Sequence, residues 1–172
     1  EIILHGARHR ADLFVNRSWF GKVALWLSHN GAEFAGLSKR FSQALLDRGI
    51  ALWNAHGLGK ASGFVPPVWV DNKYLRAQVL EQFDNYEDMI CIYKKKGKGI
   101  KTIGSPLFTF SVVPKLLLGS YMAIACLAFW CPFGTPRLVF HNEDFRNLGE
   151  KRVLSMVRYA AVMRENIMYK DL

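Results

Sequence analysis

The residues best suited to metal chemistry come first. His5 and His9 stand four apart, the spacing that puts two imidazoles on one face of a helix. No glutamate follows in the order used by zinc hydrolases, and Gly6 weakens a helix there, so no metal site is expected. His29, His56 and His141 stand alone and are read as structural or exposed. Residues 56–62, HGLGKAS, have the glycines of a phosphate loop without the GxxxxGK[ST] spacing. They are read as a packed glycine-rich loop. Glu87 and Asp88 are adjacent, so on a helix they point in different directions. Asn16-Arg17-Ser18 matches a glycosylation sequon, a pattern short enough to arise by chance. With no nucleophile elbow and no paired catalytic carboxylates, the chain is read as non-catalytic.

The strongest chemical signal is charge. The 172 residues carry a formal net charge of +9. Residues 1–93 are nearly balanced, with 10 Lys/Arg against 9 Asp/Glu, whereas residues 94–104 hold five lysines and no acid. A general nucleic-acid-binding face spreads its cations more widely, so nucleic acid is not the expected partner. Lys94, Lys95, Lys96, Lys98 and Lys101 instead read as a group that holds anionic lipid headgroups and sets membrane orientation. Cys91, Cys126 and Cys131 lack paired spacing and are read as reduced, packed thiols.

The elements that position these residues read as mainly α. The apolar patch from Ser18 to Ser28 is about half the length of a span and suits a buried or interfacial helix. Asn30 is read as the cap of a helix carrying Phe34, Leu37, Phe41 and Leu45, ending near Gly49 or after Trp53. Residues 54–70, with Gly57, Gly59, Gly63, Pro66 and Pro67, read as a packed loop. Asp71 is read as the cap of a third helix whose stripe is Leu75, Val79, Phe83, Tyr86, Ile90 and Tyr93. Residues 107–133 are apolar apart from Lys115, and 116–133 carry no charge. That meets the length criterion for a membrane span, with Lys115 placed to snorkel. Gly119 and Ala123 give it a small-xxx-small helix-packing face, and an arginine at Ala123 is expected to block insertion. Asn142 is read as the cap of the last helix.

The expected architecture is therefore mainly α, with short amphipathic helices flanking one transmembrane helix. Residues 1–104 form a matrix- or cytoplasm-facing region, 105–134 the span, and 135–172 a helical tail on the opposite side. This plan resembles that of accessory subunits of mitochondrial energy-converting complexes, in the respiratory chain or the ATP synthase. The resemblance implies an inner-membrane protein with its N-terminal part in the matrix and its C-terminus in the intermembrane space. It implies a bracing role, other subunits of a membrane complex as partners, and no cofactor beyond a bound phospholipid such as cardiolipin. Trp19, Trp26, Trp53, Trp69 and Trp130 are the expected interface residues. Two alternatives stand beside it: a ribosomal protein with residues 94–101 on RNA phosphates, and a membrane-associated enzyme acting on a lipid.

Overall fold

The computed structural model describes residues 3–6, 10–12, 14–110 and 113–165. It is mixed α/β, with 47% helix, 17% strand and a five-stranded sheet. The chain divides into two compact units, Glu1–Thr102 and Ile103–Leu172.

In the first unit, β1 (Ile3–His5), β2 (Gly63–Val65) and β3 (Asn85–Glu87) lie side by side and parallel. Helices α1 (Trp19–Leu27) and α2 (Lys39–Ala55) fill the first crossover, and α3 (Leu75–Gln82) fills the second. A parallel strand pair needs such a crossover, because the chain must return to the starting edge. The hairpin β4 (Cys91–Lys96) and β5 (Gly99–Gly104) then continues the sheet, with β4 antiparallel to β3. Leu4, Phe34, Leu46, Phe64, Leu75, Val79 and Tyr86 form the core between sheet and helices.

The all-helical expectation fails here for identifiable reasons. The stripe assigned to one helix through Tyr93 is α3 followed by two strands. After Phe83 the chain turns extended. The Asp88 carboxylate then accepts hydrogen bonds from the backbone N–H groups of Ile90 and Cys91, both at 2.8 Å. This local side-chain turn competes with helix and reverses the chain. Tyr86 and Tyr93 become cross-strand partners with ring centroids 5.9 Å apart. Strands also form at β1 and, within the stretch read as a packed loop, at β2, where Gly63, Phe64 and Val65 are all buried. Asn30 caps no helix: it adopts φ 68°, and Ser38 caps α2.

In the second unit, β6 (Leu107–Thr109) pairs in parallel with β7 (Arg137–Val139). Between them lie a 3-10 turn at Lys115–Leu117 and α4 (Leu118–Trp130). Helices α5 (Asn142–Leu148) and α6 (Glu150–Met163) follow, split by Gly149 at φ 81°. The single last helix expected from Asn142 is thus two. The N-cap of α5 is His141, in a reciprocal capping box with Asp144. The core is Phe108, Phe110, Ala125, Leu148, Val153 and Met156.

The expected span is overturned by the same segment. Among the described residues no helix is long and apolar enough to cross a membrane. The apolar run is spent on a strand, a 3-10 turn and a helix of 13 residues. At 1.5 Å per residue that helix is about 20 Å long, against a hydrocarbon thickness of about 30 Å. It buries Ala125 and Phe129 while Gly119, Ala123, Ile124, Leu127 and Trp130 face outward. Gly119 and Ala123 therefore pack no helix of this unit. Of the cysteines, Cys131 is exposed rather than packed, while Cys91 and Cys126 are half-buried.

Two arginine substitutions separate this arrangement from a span. Ala123→Arg, on the exposed face, is expected to change stability by no more than about 0.5 kcal/mol. Ala125→Arg, at 0% exposure, is expected to cost about 4 kcal/mol or more. Urea unfolding followed by circular dichroism compares the two; equal losses would contradict the packing of α4.

Candidate functional site

A crossover helix that follows a parallel strand starts at that strand's carboxyl edge, so helix N-termini collect there. In the first unit three of them collect around one open cavity of about 650 Å³. The start of α1 contributes Asn16, Arg17, Ser18 and Phe20 to its wall. The approach to α2 contributes Gly36, Leu37 and Ser38, and the approach to α3 contributes Asp71, Asn72, Lys73 and Tyr74.

Side-chain caps fix the starts of α1 and α2, and an asparagine turn leads into α3. Ser18 Oγ accepts from Gly21 N–H at 3.2 Å, and Ser38 Oγ accepts from Phe41 N–H at 3.5 Å. Asn72 Oδ1 accepts from the N–H groups of Tyr74 and Leu75 at 2.9 and 3.1 Å. Its amide donates to Phe34 O and Ser42 Oγ, tying the start of α3 to α2. The remaining first-turn N–H groups of each helix have no partner within their own helix.

Two glycines bring α1 against the approach to α2. Ser18 N–H donates to Gly36 O at 3.0 Å. A Cβ on Gly21 would lie 2.6 Å from Gly36 Cα, and one on Gly36 would lie 2.6 Å from Ser18 Oγ. Gly36 also sits at φ +66°, where a side chain is strained.

Charge completes the wall. Arg17 is buried, at 7% exposure. One terminal nitrogen donates to Ala35 O at 2.6 Å, and its Nε has no hydrogen-bond partner. Burial works against its charge, opposed by Asp12 and Glu33, but a guanidinium stays protonated in proteins. The exposed Lys73 ammonium lies 5.1 Å from the Tyr74 ring centroid. Asp71 accepts a short hydrogen bond from the Tyr86 hydroxyl. Burial raises the Asp71 carboxyl above its usual range, while the Tyr86 bond opposes the rise. Burial, and then the Asp71 charge, push the Tyr86 phenol far up.

The strand ends hold a second polar group. His5 Nδ1 lies 3.0 Å from Val65 O, and its ring centroid is 5.8 Å from that of Trp69. Trp69 Nε1–H donates to Glu87 at 3.3 Å. Val68 and Trp69 adopt φ 51° and 54°, a costly conformation for a β-branched residue.

The residues singled out in the sequence lie mostly elsewhere. Lys94, Lys95 and Lys96 are on β4, Lys98 is in the turn, Lys101 is on β5, and Lys115 opens the 3-10 turn of the second unit. Trp19, Trp26 and Trp130 are exposed at 80%, 77% and 69%. Trp53 bonds to Gly59 O at 2.7 Å, and Trp69 packs inside the first unit. The HGLGKAS glycines, Gly57 and Gly59, line no part of the cavity. His9 lies outside the described residues, and no group of three or more His, Cys, Asp or Glu among those described could hold a metal ion. Arg17 and Ser18 lay inside the dismissed sequon, and Asp71 was read only as a cap. Serine or asparagine at three successive helix starts was the available signal. No family model matches the chain, and neither a curated protein nor a solved structure matches it at a significant level.

The cavity makes a prediction in pH. An acid whose folded value is raised holds its proton more firmly in the fold. Its contribution to stability is complete below the unfolded value of about 3.9 and is lost as pH rises through the folded one. Asp71→Asn is therefore expected to gain stability relative to the parent as pH rises from acidic to neutral. Chemical unfolding at a series of pH values checks this; parallel curves would remove the raised carboxyl.

Proposed function

We propose that the first unit binds a small anionic molecule, a phosphate ester or a comparable oxyanion, in the cavity where α1, α2 and α3 begin. The observation that carries the reading is Arg17: a buried guanidinium on the cavity wall with Nε unpartnered. A buried donor without an acceptor is costly, and an oxyanion that reached this guanidinium would relieve that cost. Three helix N-termini add backbone N–H groups and the positive ends of their dipoles. Lys73 adds a second cation at the rim. A volume of about 650 Å³ lies within the range of small-molecule sites.

A second reading, docking into a larger assembly, is favoured by the outward-facing tryptophans. Trp19, Trp26 and Leu27 on α1, and Leu127 and Trp130 on α4, leave large apolar side chains uncovered, and such patches mark interaction surfaces. This keeps the expected bracing role and drops the span.

Inorganic phosphate is the probe for the first reading. It is expected to raise the thermal midpoint in a saturable way, as any ligand selective for the folded state does. Arg17→Gln is expected to weaken binding at least about tenfold, the loss of about 1.4 kcal/mol. Lys73→Ala, an exposed change that leaves folding intact, is expected to weaken it about threefold, a loss of about 0.6 kcal/mol. Absence of a phosphate effect, or an effect that both variants retain, would sink the proposal.

A further inference from the structure

The lysines at 94–101 were read from sequence as flanking a membrane span, and their place in the fold is a different one. They lie on the β4–β5 ribbon, joined by a turn with Gly97 at φ +60°. Successive side chains of a strand point to opposite faces, so Lys94 and Lys96 project from one face of β4 and Lys95 from the other. A hairpin laid against a body buries alternate residues. Here Lys96, Lys98, Gly99, Ile100, Lys101 and Thr102 are all exposed, so both faces of the distal ribbon meet solvent. Five lysines and no acid lie between residues 94 and 104, so the ribbon is strongly basic.

We infer that the β4–β5 ribbon is a binding arm for double-helical DNA, its lysines on the phosphates that border the major groove. The observation behind it is independent of the cavity. The shape selects this polyanion over a membrane. A flat bilayer meets one face of a ribbon, leaving the lysines of the other face in water, whereas a groove has two phosphate walls. The major groove of B-form DNA is about 12 Å wide and admits a two-stranded ribbon. The major groove of duplex RNA is deep and narrow and does not. Large exposed side chains that insert into lipid are scarce on the distal ribbon, where Ile100 is the one large aliphatic residue. Lysines on phosphates give affinity without base readout, so binding is expected to be indifferent to sequence.

The test is fluorescence anisotropy of the full chain with a labelled 20-base-pair DNA duplex, between 50 and 200 mM NaCl. Each phosphate neutralised contributes about 0.9 to the slope of log affinity against log salt. Contacts at Lys95, Lys96 and Lys98 therefore predict a loss of between about one and two orders of magnitude across that range. Lys95→Gln, Lys96→Gln and Lys98→Gln together are expected to lower the slope by about 2 to 3. The same triple variant should keep the parent's unfolding midpoint, which separates a lost contact from a lost fold. The inference is overturned if the duplex does not bind, or if the triple variant binds with an unchanged slope. It is equally overturned if anionic phosphatidylglycerol vesicles bind through these lysines and DNA does not.

Discussion

The near-contact of two backbones, at Gly21 and Gly36, is the constraint on which the first unit's cavity depends. With no Cβ on either residue, the first turn of α1 lies directly against the approach to α2, and Ser18 N–H reaches Gly36 O. Two helix N-termini are thereby held beside one another, although like dipole ends repel. Asn72 brings in the third by bonding to both Phe34 O and Ser42 Oγ while accepting from the N–H groups of Tyr74 and Leu75 at the approach to α3. Each of these links is a backbone contact or a buried hydrogen bond, so the cavity wall is set before any ligand arrives. Such preorganisation lowers the ordering cost of binding.

Where local chemistry decided the structure, the sequence was informative. The Ser18–Ser28 patch is a helix because its apolar residues contain no proline and Ser18 caps it. α2 ends just beyond Trp53, within the expected neighbourhood. The sheet was missed because its parallel strands are three residues long and pair with segments far away in the chain. Three buried residues in a row carry no alternation to distinguish strand from helix. Tyr86 and Tyr93 illustrate the difficulty: a separation of seven fits two helical turns, and it also fits a hairpin turned by Asp88.

The apolar run at 107–133 failed differently. Hydropathy measures composition over a window and is blind to what divides it. Pro114 and the 3-10 turn separate a buried strand from a short helix. That strand needs Arg137–Val139 as its partner, and no local signal announces such a pairing. Of the cavity, only the individual caps were legible. Arg17 matters through its burial, and burial is a property of the assembled unit rather than of the residue.

The three-residue parallel strands have a kinetic consequence. β1 finds β2 only after the chain holding α1 and α2 has closed into a loop, and closure of long loops slows folding. Helices form within microseconds or less, so α1 and α2 can form and dissolve repeatedly while the ladder is still open. During that interval Phe34, Leu46 and Phe64, all buried in the finished core, have no sheet to cover them. Newly made chains are then in competition between intramolecular closure and association with one another, the regime in which chaperones act.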